Sequence, residues 1–529
     1  MKELCISDHA GHHSRNASSR ASGTCEWILR HQSYRRWLSL PQKASFLWLS
    51  GYPGCGKSTL ASFLIDELRR GGDGDGEFPG TPVCCYFFFK DDDDQRRSAD
   101  RAMCTILHQL FTANPQLIRH ALAQSQKGER FSENFPALWN ILLDASNDPQ
   151  CGDVLCILDG MDECEEASQV ELIESIEKWY TIAAGPRSLK FVVTSRPSRT
   201  IEKHFFSFPK IRLKAEVEAT RKDIAALVRS RIGEDVAKFR GLDDSARTEI
   251  EDKLVRNAQG NFLYVDLVLR LIEDTCARDS AEALRTVLDK PPVNLDAVYE
   301  KILSLSPNAS DTWRLLHIIL AAKSPLTLEE LNTAFVIKPS NRIADIRLLP
   351  DISQMIRQLC SHFVRIIDSR VYLVHQTAKD FLCHPVATIS PAQTQSQWKH
   401  SFHPVESHRI LTLVCVSLLE LEARGEQEKL PYPFPLLDYA RRYWSWHAQF
   451  ANLEDDSQIL ASITRLGPSS KSWPNTTNTT TTTTKLSERT AILALPVEDK
   501  EVLLALEHEK RYQQWYLASL DFGGGGEAA

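Results

Sequence analysis

No apolar run in the chain approaches the roughly 18 residues of a membrane-spanning helix, and the polar N-terminus lacks the layout of a secretory signal. Neither sign of charge dominates. The 62 Lys and Arg stand against 69 Asp and Glu, a formal net of −7, which gives no electrostatic footprint for nucleic acid over the chain as a whole. The 13 cysteines are odd in number and contain no C-x-x-C pair, which argues against both a closed disulfide framework and a zinc ribbon. Cys55, Cys84, Cys85 and Cys156 fall in or beside apolar runs, where free cysteine behaves as a small hydrophobe. These absences together point to a reducing, cytoplasmic setting. No repeat period appears after residue 450, and 529 residues are enough for three or four domains with ample core.

What the chain does have is a phosphate loop. Gly51-Tyr52-Pro53-Gly54-Cys55-Gly56-Lys57-Ser58-Thr59 leaves the apolar run Phe46–Leu49 and enters a segment with Leu60, Phe63, Leu64 and Leu68 at helical spacing. Glycines let the backbone curl round a polyphosphate, so that N–H groups and a helix N-terminus face its negative charge. Lys57 is expected on the β- and γ-phosphates, and the Ser58 hydroxyl on Mg²⁺.

A second run, Val154–Leu158, is continuous and apolar, as a parallel strand buried on both faces requires, and it ends in Asp159-Gly160-Met161-Asp162-Glu163. A carboxylate at the C-terminal end of such a strand lies where open α/β sheets bind ligands. Asp159 suits the Mg²⁺ shell, and Asp162 or Glu163 suits the orientation of an attacking water. A third run, Lys190–Thr194, ends in Ser195-Arg196-Pro197, where Arg196 can sense a γ-phosphate. Strands are expected near 46–50, 83–89, 154–158, 190–194 and 210–213.

From about residue 216 the pattern turns helical: Ile224, Leu227, Val228 and Ile232 share one face, as do Phe262, Val265, Leu269 and Ile272. The stretch 311–385 reads as a winged helix. A helix covers about 311–322, Thr327 and Glu330 form a capping box, and Ile352, Ile356 and Leu359 mark a third helix. A hairpin follows, from Val364–Ile367 through Asp368-Ser369-Arg370 to Val371–Val374. Two further helices, Ile410–Leu421 and Leu437–Phe450, precede a Thr- and Asn-rich tract.

Thr24-Cys25-Glu26-Trp27, the phosphate loop, Leu158–Cys164, Phe191–Pro197 and Asn257–Leu263, in this order, resemble the NACHT branch of the STAND signalling NTPases over roughly residues 20 to 450. The likeness is greatest to the NOD-like receptors of filamentous fungi. It implies an α/β P-loop NTPase with a parallel sheet of order 5-1-4-3-2, followed by a helical domain, a winged helix and a second helical domain. The expected boundaries are a disordered tail at 1–20, the NTPase at 21–215, helical domains at 216–305 and 391–465 flanking a winged helix at 306–390, a linker at 466–490 and a short helical tail at 491–529.

The resemblance also implies that Thr24 and Trp27, before the loop, help enclose an adenine, and that His375, just after the wing, touches the phosphates of bound ADP. Phe262 stands where plant and animal relatives often carry proline. The implied ligands are ATP or ADP, with GTP possible, and Mg²⁺. The implied activity is slow hydrolysis governing opening and homo-oligomerisation, together with an effector-bearing partner, in fungal non-self recognition or cell-death signalling. Relatives usually carry an effector domain before the NTPase and ankyrin or WD repeats after it. A stripped-down regulator, an adaptor and a truncated gene product are the expectations this raises. Two other classes remain open from residues alone: a DNA-binding regulator using the winged helix, and a P-loop kinase acting on a small molecule.

Overall fold

The computed structural model describes residues 9–453 apart from 19, 40–44, 71–81, 92, 94, 126–130, 182–188, 235–243, 278–291, 339–345, 384–395, 424–433 and 452. The Thr/Asn tract and the helical tail expected after it lie outside the described residues. The chain divides into two compact units, Met1–Asn294 and Leu295–Ala529.

In the first unit the apolar runs become five parallel strands: β1 (Ser45–Ser50), β2 (Val83–Phe88), β3 (Val154–Asp159), β4 (Leu189–Ser195) and β5 (Lys210–Arg212). Their order is β2-β3-β4-β1-β5, which read from the other edge is the expected 5-1-4-3-2. Every residue of β1, β3 and β4 is buried, because both faces of the sheet are covered. Alternate side chains feed two cores. Leu47, Leu49, Ile157 and Val192 meet Leu60, Leu64 and Leu68 of the Lys57–Arg70 helix on one face. Phe46, Trp48, Leu158, Phe191 and Val193 meet the Ala99–Ala113, Phe135–Ser146 and Glu166–Thr181 helices on the other. Each fully buried Leu or Phe contributes about 1.5–3 kcal/mol, so the sheet that carries the loop ends is held by a core on each face.

The N-terminal segment departs from expectation: His9–Ser18, read as part of a disordered tail, forms a helix against the Lys57–Arg70 helix and β2. Its inner face is made of imidazoles. His13 is buried with Nε2 3.1 Å from Asp66 Oδ1, and the rings of His9 and His13 lie 5.5 and 5.3 Å from that of Tyr86. Composition hid this face because histidine counts as polar while its ring packs as an aromatic. After the sheet come the Val217–Glu234, Asp244–Asn257 and Phe262–Ala277 helices. Ile224, Val228, Ile232, Val265, Leu269 and Ile272 are buried, as their spacing requires.

The second unit holds the Leu295–Ser304, Ala309–Ala321, Leu328–Val336 and Ile352–Cys360 helices and a hairpin of β6 (Val364–Ile367) and β7 (Arg370–Leu373). The Thr327–Glu330 capping box forms in full. The hairpin turns through Asp368 and Ser369 at φ of 49° and 61°. Gln376–Leu382 continues the chain, and Pro404–Ala423 packs along Leu437–Phe450. No described helix is long and apolar enough to cross a membrane.

Candidate functional site

The phosphate loop leaves the C-terminal end of β1, and the Gly51 N–H donates to Ser195 O at 3.1 Å, tying it to the end of β4. Gly54 and Gly56 sit at φ of 76° and 85°, the left-handed region that glycine occupies without strain. A side chain at Gly54 would also collide with Asn261 Oδ1. Lys57 folds back over the loop, its Nζ donating to Gly51 O at 2.7 Å and Tyr52 O at 3.1 Å. That arrangement poises one cation at the mouth of the loop, where a phosphate oxygen can replace a carbonyl.

Two strands and a helix contribute to the acidic side: β3, β4 and the Lys57–Arg70 helix. Ser58 Oγ donates to Asp159 Oδ2 at 2.6 Å, Thr194 Oγ1 donates to Asp159 Oδ1 at 2.6 Å, and the Gly160 N–H donates to Thr194 Oγ1 at 3.0 Å. Burial raises the Asp159 carboxyl above its ordinary range, while both hydroxyls and Lys57 pull it down. A hydroxyl and a carboxylate in contact are hard oxygen donors, the set with which Mg²⁺ shares a shell of water and substrate phosphate.

The two acids that follow have different partners. Asp162 is committed to Arg196, accepting its backbone N–H through Oδ1 at 2.9 Å and facing its Nε through Oδ2 at 3.1 Å. It brackets the arginine at the tip of β4. Glu163 instead accepts from Lys90 Nζ at 3.1 Å, and burial raises its carboxyl to about 7. A carboxylate that titrates near neutrality is suited to take a proton from water.

Thr24 is buried, with its hydroxyl donating to Ala21 O at 2.6 Å. The next residue, Cys25, donates its N–H to Asp223 Oδ2 at 2.9 Å, and the Trp27 side chain bonds the same carboxylate. The segment before the loop is thereby fastened to the helical segment after the sheet. A second fastening lies at the loop itself. Gly54 O accepts the Phe262 N–H at 2.8 Å and the Leu263 N–H at 3.4 Å, while Asn261 Oδ1 caps the helix at Tyr264 N, 2.9 Å away. His375 belongs to the second unit, where its Nδ1 accepts the Thr377 N–H at 3.1 Å and caps the Gln376–Leu382 helix.

Thr194, Asn261, Asp223 and Lys90 were not singled out by sequence as site residues. Asn261 carried a usable signal, an Asn just before an apolar-periodic run. Lys90 carried none, since its partner lies 73 residues away.

The nephrocystin 3 N-terminal family model matches residues 23–196, and the winged-helix model of GPI inositol-deacylase matches residues 299–389. The vegetative incompatibility protein HET-E-1 of Podospora anserina is 27% identical over 369 residues, covering 67% of this chain and 26% of its own. The chain therefore spans about a quarter of that relative's length. Among solved structures, the ADP form of ORC2 from Aeropyrum pernix is 13% identical, covers 66% of this chain and 88% of its own, and superposes with a TM-score of 0.33. The Walker-type ATPase PABY2304 of Pyrococcus abyssi is 12% identical, covers 67% and 93%, and scores 0.32. These scores mark a general likeness only. Four of the five strands fall inside the first family match and the wing hairpin inside the second; with the alignment to HET-E-1, these matches support a NACHT-type P-loop NTPase resembling the fungal NOD-like receptors.

Proposed function

We propose that the chain is a nucleotide-controlled signalling switch. It binds ATP, or GTP, through the Gly51–Thr59 loop with Mg²⁺ held by Ser58 and Asp159. It hydrolyses the nucleotide slowly, with Glu163 orienting water and Arg196 registering the γ-phosphate. The adenine lies by the Thr24–Trp27 turn. The ADP form is closed, with His375 on the phosphates; the ATP form opens and self-associates, and it passes its state to an effector-bearing partner in non-self recognition, a reading supported by the likeness to a vegetative incompatibility protein.

The observation that carries this reading is the bond pair from Phe262 and Leu263 to Gly54 O. A helix whose first turn hangs on the phosphate loop feels any reshaping of that loop by phosphate. This supplies the differential contact that a ligand needs to shift a conformational equilibrium. A DNA-binding role for the winged helix is less supported: Leu328–Val336 carries two Glu and no cation, and Ile352–Cys360 carries Arg357 alone.

The test is the mass of the full chain in solution with ADP and with a non-hydrolysable ATP analogue. The ATP analogue is expected to give the larger species. His375→Asn keeps an N-cap side chain while removing the imidazole, and is expected to associate even with ADP. A parent whose mass is the same with ADP and with the ATP analogue would sink the switch, and a variant that matches its parent under both nucleotides would remove His375 from it.

A further inference from the structure

β2 and β3 run side by side in register, Phe88 opposite Asp159, so the segments that follow them leave the sheet together. The loop after β2 is then pinned to the turn after β3 in several places. Phe89 N–H donates to Asp159 O at 2.8 Å, Glu165 N–H to Arg97 O at 2.7 Å, and Ala99 N–H to Ser168 Oγ at 2.7 Å. The loop is also braced within itself, by Lys90 N–H to Arg96 O at 3.0 Å and by buried Arg96, whose Nε lies 2.8 Å from Asp93 Oδ2. From this braced frame Lys90 reaches Glu163 Oε2 at 3.1 Å, the two side chains only 25% and 18% exposed. An ion pair so shielded from water is screened less than one on the open surface.

We propose that Lys90 is a latch on Glu163, holding the carboxylate away from the attacking water so that hydrolysis stays slow until Lys90 releases it. This rests on the assignment of Glu163 to water in the proposed function. In the step it restrains, the water oxygen bonds to the γ-phosphorus as the bond to the β-bridging oxygen breaks. The leaving ADP keeps that electron pair and Glu163 takes the water proton. A carboxylate oxygen engaged with an ammonium is a poorer acceptor for that proton.

The charged groups that face Glu163 make the latch readable by pH. Burial lifts the carboxyl to about 7, Lys90 pulls it down, and Asp91 and Asp162 push it up, Asp162 being itself bracketed by Arg196. Loss of Lys90 therefore moves the Glu163 midpoint upward, while freeing the oxygen it held.

The experiment is single-turnover ATP hydrolysis by the full chain and by Lys90→Met from pH 6 to 9.5, with nucleotide affinity measured on the same samples. Affinity is expected to be unchanged, the midpoint to rise above the parent's, and the alkaline plateau to exceed the parent's by about 10-fold, a fraction of the 10²–10⁴ that a positioned base supplies. Lys90→Arg, which keeps the cation, is expected to keep both the parent's plateau and its midpoint. A midpoint that rises with a plateau at or below the parent's makes Lys90 an aid to Glu163 and overturns the latch. A profile unmoved in both respects overturns it as well. Failure of the underlying assignment looks different: a parent that binds no ATP, or a Glu163→Gln protein that hydrolyses as fast as its parent. Should Lys90→Met not fold, Lys90→Gln takes its place with the same expectations.

Discussion

At Asp159 both carboxylate oxygens are occupied, Oδ2 by the Ser58 hydroxyl and Oδ1 by Thr194 Oγ1, and the Thr194 oxygen also accepts the Gly160 N–H. One threonine thus holds the Asp159 carboxylate and satisfies a buried amide. Thr194→Val keeps the shape and removes both functions, leaving two buried polar groups without this partner. The expected loss of stability is about 1–3 kcal/mol, read from the urea midpoint, with Thr194→Ser close to the parent. A valine variant unfolding at the parent's midpoint would show that the hydroxyl is not needed there. Ser58 and Asp159 were legible in sequence because each sits at a fixed place in a strand-and-loop motif. Thr194 was readable only as the end of a strand, since its partnership depends on β4 lying beside β3. The separate partners of Asp162 and Glu163 were hidden for the same reason, since Arg196 and Lys90 follow other strands.

The elements themselves were the most legible level. All five strands begin and end within about a residue of their expected limits; β1 to β4 do so because strands buried on both faces are continuous apolar runs, whereas in the short β5 only Ile211 is buried. The His9–Ser18 helix was missed because its packing face is built from imidazoles, and the seat of Asn261 on the loop was missed because about 200 residues separate the partners. Imidazoles also join the last helix pair. His408 Nδ1 lies 3.0 Å from His447 Nδ1, and Tyr439 Oη lies 2.9 Å from His447 Nε2. Burial is the main cause holding His408 down to about 4 and His447 to about 2, with Lys323 adding to both and Lys379 to His408. A depressed imidazole contributes stability that is present above its unfolded value near 6.5 and lost as pH falls towards the folded value. For His447 this loss is about 2 kcal/mol by pH 5. Thermal melts followed by tryptophan fluorescence are expected to shift to lower temperature from pH 7 to pH 5. A midpoint that is flat or rises over that interval would contradict a buried, neutral ring pair.

At the scale of the whole molecule, a sheet with a phosphate loop, a helical segment fastened to that loop and a winged helix follow one another along a single chain. The fold class was legible throughout, since each part announces itself by its own periodicity. The fastening of the helical segment to the loop was not, because it runs through a backbone carbonyl, Gly54 O, which no side-chain pattern encodes. Every functional statement made for the chain depends on that loop holding a nucleotide. The most direct measurement is therefore the nucleotide released on denaturing the purified full chain, quantified against protein, beside the affinity of parent and Lys57→Ala for added ATP and ADP. The account predicts close to one nucleotide per parent chain and, from the loss of a charge-assisted contact of about 1.5–3 kcal/mol, a roughly 10- to 100-fold weaker variant. A parent that carries no nucleotide and binds added ATP no better than Lys57→Ala would contradict it.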